Sequence, residues 1–174
     1  LGAHNLNEAA FELSQHWGGK AISIYHVVGI RDWPEFSQLE QKPIGDVEYK
    51  MIEYLTDLTT LIGAADLVIS RAGATSVSEI TALGIPSILV PLPNSPGNHQ
   101  EENARFFEKN GSAILLPDSE LNYVSLSNKI SYLLDNESIL QEMGERTRGV
   151  THLSAGDEIV DLISSIIEGV SHAK

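Results

Sequence analysis

The chain has 174 residues, a hydrophobic fraction of 42% and no cysteine, which suits a single domain with one core and excludes a disulfide framework or a thiolate metal site. A formal net charge of −13 argues against nucleic acid or an anionic lipid surface as a partner of the whole domain, so any anionic ligand must be held by local donors. No stretch approaches the unbroken apolar length of a membrane span, and no signal-peptide pattern opens the chain.

In chain order, residues 5–17 place Leu6, Ala9, Ala10, Leu13 and Trp17 at helical spacing, and Gly18-Gly19 ends the helix. Residues 21–28 are rich in β-branched side chains and read as a buried strand. Residues 30–46 hold Pro34, Pro43 and Gly45 among polar residues and read as a loop with a turn of helix. A short strand is expected over 49–55, then a brief helix over 57–65 with Leu58, Leu61 and Ile62 inward and Thr56 or Asp57 as its cap.

Next comes DLVISRAGATSVSEITALGIPSILVP, residues 66–91. Leu67-Val68-Ile69 is an apolar run of the kind found in a parallel sheet covered on both faces. Arg71-Ala72-Gly73 breaks it, and residues 74–83 turn helical with Val77, Ile80 and Leu83 on one face, stopped by Gly84 and Pro86. A second strand, Ile88-Leu89-Val90, follows at once. Such a strand–turn–helix unit aims unpaired backbone N–H groups and the positive helix end at one point, which suits a phosphate.

A loop with three prolines (Pro91, Pro93, Pro96) leads to a helix over 99–110 (HQEENARFFEKN), and Ala113 to Leu116 is the last strand. Amphipathic helices are expected over 122–134, 139–148 and 157–170, the last with Ile159, Leu162, Ile163, Ile166, Ile167 and Val170 in one stripe. Strands alternating with helices imply an α/β fold, a Rossmann-like parallel sheet flanked by helices, with ligands beyond the strand C-termini.

The run over 66–91, followed by NHQEENARFFEKNGSAILL, resembles the carboxy-terminal domain of the MurG family, bacterial UDP-N-acetylglucosamine transferases that complete the peptidoglycan precursor lipid II. Leu1-Gly2-Ala3 resembles the tail of that family's glycine-rich loop, without its preceding strand. The resemblance therefore implies a fragment of a two-domain GT-B glycosyltransferase, residues 1–174 forming one UDP-sugar donor-binding domain.

The resemblance also implies site residues. Gly73, Ala74, Thr75 and Ser76 would take the nucleotide diphosphate, although the same residues also suit a tight turn and a helix cap. Glu79, early in the helix, would hold the ribose hydroxyls or merely complement the helix dipole. Arg71 would screen diphosphate charge or sit solvated at the sheet edge, and main-chain groups at Leu55 would read uracil. His99, Gln100 and Asn103 would face the sugar, against the alternative of a polar helical turn; His99 has no partner at ligand spacing for a metal or catalytic role.

No Ser-His-Asp order, metal-like carboxylate cluster or Walker-type Gly-Lys-Ser sequence occurs, and no metal or cofactor is called for. The resemblance assigns the general base and the groove for the lipid I acceptor to the amino-terminal domain, so this chain alone is expected to bind UDP-N-acetylglucosamine without transferring it. Direct membrane contact is not expected of this half, and the full protein is expected to be peripheral on the cytoplasmic face of the bacterial membrane. The alternatives are another UDP-sugar GT-B transferase, including a split donor-binding subunit, a UDP-N-acetylglucosamine epimerase, or a non-catalytic nucleotide-binding module.

Overall fold

The parallel order expected from alternating strands and helices is what the computed structural model shows; it describes residues 3–43, 45–150, Val160 and Ile163. Strand β1 (Ile22–Val27) pairs in parallel with β2 (Val47–Ile52), with Ile22 opposite Val47 and Val27 opposite Ile52. Strands β3 (Val68–Ser70), β4 (Ser87–Leu89) and β5 (Ala113–Leu115) form a second parallel ladder in that order. Hydrogen bonding thus divides the strands into ladders of two and three.

Helix α1 (His4–His16) precedes the strands, α2 (Trp33–Phe36), α3 (Leu58–Gly63), α4 (Ala74–Leu83) and α5 (His99–Lys109) run between them, and α6 (Tyr123–Asp135) and α7 (Glu137–Val150) follow. The turn of helix expected in the proline-containing loop is α2, and it drives Phe36 into the core at 1% exposure. Asp57, rather than Thr56, caps α3, its carboxylate accepting from the Thr60 N–H at 3.0 Å. Asn122 caps α6 through a capping box with Ser125.

One strand is displaced from the expected 49–55. Val47, Tyr49 and Met51 are half-buried while Glu48 and Lys50 are exposed, so the inward face begins directly after Gly45-Asp46, and Glu53 to Leu55 fall in the following loop. Of the apolar stripe expected over 157–170, Ile163 is helical and exposed, as is Val160 beside the stripe, and the remainder lies outside the described residues.

Strand β4 shows how the layers close. Ile88 and Val90, both fully buried, face a core with Ala9 and Leu13 of α1, Trp17 at its C-cap, Leu126, Ile130 and Leu133 of α6, and Met143 of α7. Leu89 points the other way, into Ile62 of α3, Val77 and Ile80 of α4, and Ala104 of α5. Each such buried aliphatic side chain contributes about 1.5–3 kcal/mol. Gly84 ends α4 at φ 69°, its N–H returning to the carbonyls of Ile80 and Thr81, a left-handed position that glycine occupies without strain.

Beneath α1 lies a buried polar cluster. His26, 8% exposed, accepts at Nδ1 from the Tyr49 hydroxyl at 2.7 Å and donates from Nε2 to Asn7 Oδ1 at 3.0 Å. That tautomer is required because the Asn7 amide nitrogen is already donating to the Val28 carbonyl and to Asp32. Burial lowers the His26 pKa to about 4 and pushes the Tyr49 hydroxyl up, so both groups are neutral.

Candidate functional site

Parallel strands bring the residues that follow β3, β4 and β5 to one end of the sheet. Arg71, Leu92, Pro93 and Asp118 meet there with His4 and Asn5 of α1, around a cleft of about 260 Å³. The first turn of α4 starts three residues beyond Arg71. Gly73 is its N-cap, with φ −65° and ψ 146°, an ordinary extended conformation open to any residue. A side-chain carbon added at Gly73 would meet no atom within 4 Å. Neither strain nor crowding within the fold therefore calls for glycine, and the space in front of this helix is open.

No side chain caps α4. The N–H groups of Ala74, Thr75 and Ser76 have no acceptor among the described residues, whereas the Val77 N–H reaches the Gly73 carbonyl at 3.0 Å. Three adjacent unsatisfied donors at the positive end of a helix are an arrangement that can take an anion. Thr75, which the sequence also offers as a cap, is exposed and does not cap. Glu79, one turn after Ser76, is half-buried and has neither hydrogen bond nor ion pair among the described residues.

Arg71 is not the solvated group that a strand-end arginine suggests. Its side chain is 13% exposed, and Nη1 donates to Asp118 Oδ1 at 2.5 Å and to the carbonyls of Val90 and Pro91 at 3.2 and 3.4 Å. Gln100 and Asn103, too, are more than a wet polar turn. Gln100 Oε1 accepts from the Leu92 N–H at 3.0 Å, which fixes the amide and leaves its NH₂ as the outward half. Asn103 Nδ2 donates to the buried Ala72 carbonyl at 3.0 Å and so ties α5 to the turn that opens α4.

Two expected residues stand apart. His99 is exposed at the start of α5, and Leu55 is half-buried in the loop between β2 and α3, with no hydrogen bond to the α4 turn among the described residues. Among the described residues no three His, Asp or Glu side chains gather as a metal site. Asp118, His4 and Asn5 escape the sequence reading. The signal was Pro117-Asp118 directly after β5, since a parallel sheet delivers that position to the end where Arg71 follows β3.

A parallel α/β fold whose strand ends converge on an uncapped, glycine-led helix defines a Rossmann-like domain. Residues 1–159 match the Glycosyltransferase family 28 C-terminal domain, and the chain belongs to that family. It is 38% identical over 173 residues to a UDP-N-acetylglucosamine--N-acetylmuramyl-(pentapeptide) pyrophosphoryl-undecaprenol N-acetylglucosamine transferase of Halothermothrix orenii, covering 97% of this chain and 47% of the relative. The protein of the same name from Oenococcus oeni is 36% identical, with 95% and 45% covered. The crystal structure of Acinetobacter baumannii MurG superposes with a TM-score of 0.81 at 29% identity, covering 95% of this chain and 47% of that one. The spinosyn forosaminyltransferase SpnP, at 13% identity and a TM-score of 0.63, shares the fold. The chain spans about half the length of the curated relatives it matches.

Proposed function

We propose that this chain is the donor-binding half of a glycosyltransferase that moves N-acetylglucosamine from UDP-N-acetylglucosamine to lipid I, the undecaprenyl-pyrophosphoryl muramyl-pentapeptide, giving lipid II. The observation that carries the reading is the corner at Gly73: open space, no cap, and three amides without acceptors. The names of relatives at 36–38% identity supply the substrates.

In this reading the amides of Ala74, Thr75 and Ser76 receive the diphosphate, Arg71 stays paired with Asp118, and Glu79 accepts from the two ribose hydroxyls. Gln100 offers its outward NH₂ to a sugar hydroxyl oxygen, with His99 beside it, while Asn103 acts by holding the turn. Main-chain groups at Leu55 pair with uracil. The C4 hydroxyl of the muramyl sugar attacks the anomeric carbon with inversion, the bond to the diphosphate breaks, and UDP leaves with the electron pair. Preorganised amides at α4 stabilise the charge that develops on the diphosphate oxygen.

The acceptor groove and the base that takes the C4 hydroxyl proton belong to the other half of the enzyme, so residues 1–174 bind donor without transferring it. No helix among the described residues is long and apolar enough to cross a membrane. The complete enzyme works peripherally on the cytoplasmic face, its other half making the membrane contact.

Calorimetric titration of the chain with UDP, UDP-N-acetylglucosamine and ATP tests the reading. Selective binding of the two uridine ligands is the expected result, and Glu79→Ala should abolish it while leaving the melting temperature within a few degrees. Equal indifference to all three ligands, or unfolding of the Glu79 variant, would overturn the assignment.

A further inference from the structure

Strand β2 ends the ladder that it forms with β1. The carbonyls of Asp46 and Ile52 accept from the N–H groups of Ile22 and Val28 at 3.1 and 2.9 Å, so the even-numbered residues of β2 turn their main-chain groups toward β1. By alternation the N–H and C=O groups of Val47, Tyr49 and Met51 face the other way, and they have no partner among the described residues. An open cleft of about 580 Å³, lined by residues 21–23 and 45–48, exposes the start of both strands. Such an edge is a template for another strand.

Its side chains say which one. Glu48 and Lys50 are both exposed on the outer face of the ladder. Glu48 Oε2 accepts from Ser23 Oγ at 2.9 Å, and Lys50 Nζ lies 5.8 Å from the centre of the Tyr25 ring, so neighbours on β1 hold both charged heads over this face.

We infer that β2 is a self-pairing edge, to which a second copy of this chain adds its own β2 in antiparallel fashion about a two-fold axis at Tyr49. In that register Val47 lies opposite Met51 of the second copy, and Glu48 opposite its Lys50, in both directions. The free main-chain groups of Val47, Tyr49 and Met51 are then the ones that such a ladder uses. The charged residues fall at the non-hydrogen-bonded positions, where opposed side chains lie closest. An axis at Glu48 or at Lys50 would instead set like charges against each other, so charge fixes the register. One strand pair is a small interface, which makes the association weak and reversible. The pairing stands independently of the donor-site reading.

Sedimentation equilibrium of the 174-residue chain from about 10 µM to about 1 mM, in physiological salt, tests it. Low salt is avoided because two copies of formal charge −13 repel each other at long range. The parent should show a monomer–dimer equilibrium. Lys50→Glu sets glutamate against glutamate and Glu48→Lys sets lysine against lysine, and each should weaken dimerisation by about tenfold or more. Because the first change makes the chain more acidic and the second less, repulsion between whole molecules cannot produce both losses. The exchanged variant Glu48→Lys/Lys50→Glu should dimerise like the parent. So should a one-to-one mixture of the two single variants, which opposes glutamate to lysine at both charged pairs and decides the matter if the exchanged chain does not fold. A monomer at every concentration, a dimer indifferent to the single changes, or no recovery in the mixture overturns the inference.

Discussion

At the scale of single residues, Gly73 and His26 report on different things. Gly73 already has backbone angles that alanine adopts, and the added carbon would meet nothing within 4 Å. Alanine narrows the unfolded ensemble, which stabilises, but is a poorer N-cap, which destabilises; the two effects nearly cancel, to within about 1 kcal/mol. The same carbon stands where a diphosphate would approach the amides. Gly73→Ala should therefore melt like the parent yet bind UDP at least tenfold more weakly, as read by differential scanning fluorimetry and calorimetry. His26 carries a stability prediction instead. Its native pKa of about 4 lies below the ordinary 6.5 because burial excludes the charged ring. Above pH 6.5 neither state binds the proton and stability is full. As pH falls from there toward 4, the unfolded chain gains a proton that the native chain refuses. The expected loss between pH 8 and pH 5 is about 2 kcal/mol. Urea midpoints across that range measure it, and a flat profile would rule out a neutral buried imidazole.

At the scale of elements, the turn opening α4 is held from outside by α5, through the hydrogen bond from Asn103 to the Ala72 carbonyl. Ala72 is fully buried, so Asn103→Ala removes the Asn103 donor from a carbonyl that water reaches poorly, at a cost of about 1–3 kcal/mol. Both the melting temperature and UDP affinity should fall in that variant, unlike Gly73→Ala, which should lose affinity alone. The contrast separates a residue that positions the turn from one that faces the ligand. It also marks how far the sequence could be read. The β3–α4–β4 unit was legible because its apolar runs, Gly73 and the Gly84-x-Pro86 stop are local signals. Strand β2 was read two residues late because Val47 follows a Gly45-Asp46 turn, and its start is set by pairing with β1, a long-range fact. The sequence offers Asn103 as a candidate site residue, but its partner, 31 residues back in the chain, leaves no local signal. The Arg71–Asp118 pair spans 47 residues and depends on which strand ends lie together, which spacing along the chain cannot show.

At the scale of the whole molecule, the proposed diphosphate site sits in a chain of formal charge −13. If the proposal holds, the field of the protein repels UDP at long range, while the amides of α4 attract it within hydrogen-bonding distance. These two ranges respond differently to salt. Screening at a Debye length of about 10 Å in roughly 0.1 M salt removes most of the long-range repulsion but leaves short, partly desolvated hydrogen bonds largely intact. The association rate for UDP should therefore rise as ionic strength increases from low to physiological, the reverse of what a basic phosphate site shows. The dissociation rate should change much less, because it reports the contacts at Gly73 to Ser76 and Glu79. Stopped-flow mixing with a fluorescent UDP analogue separates the two rates. An association rate that falls with salt would mean that a local cation, not the helix amides, draws the nucleotide in.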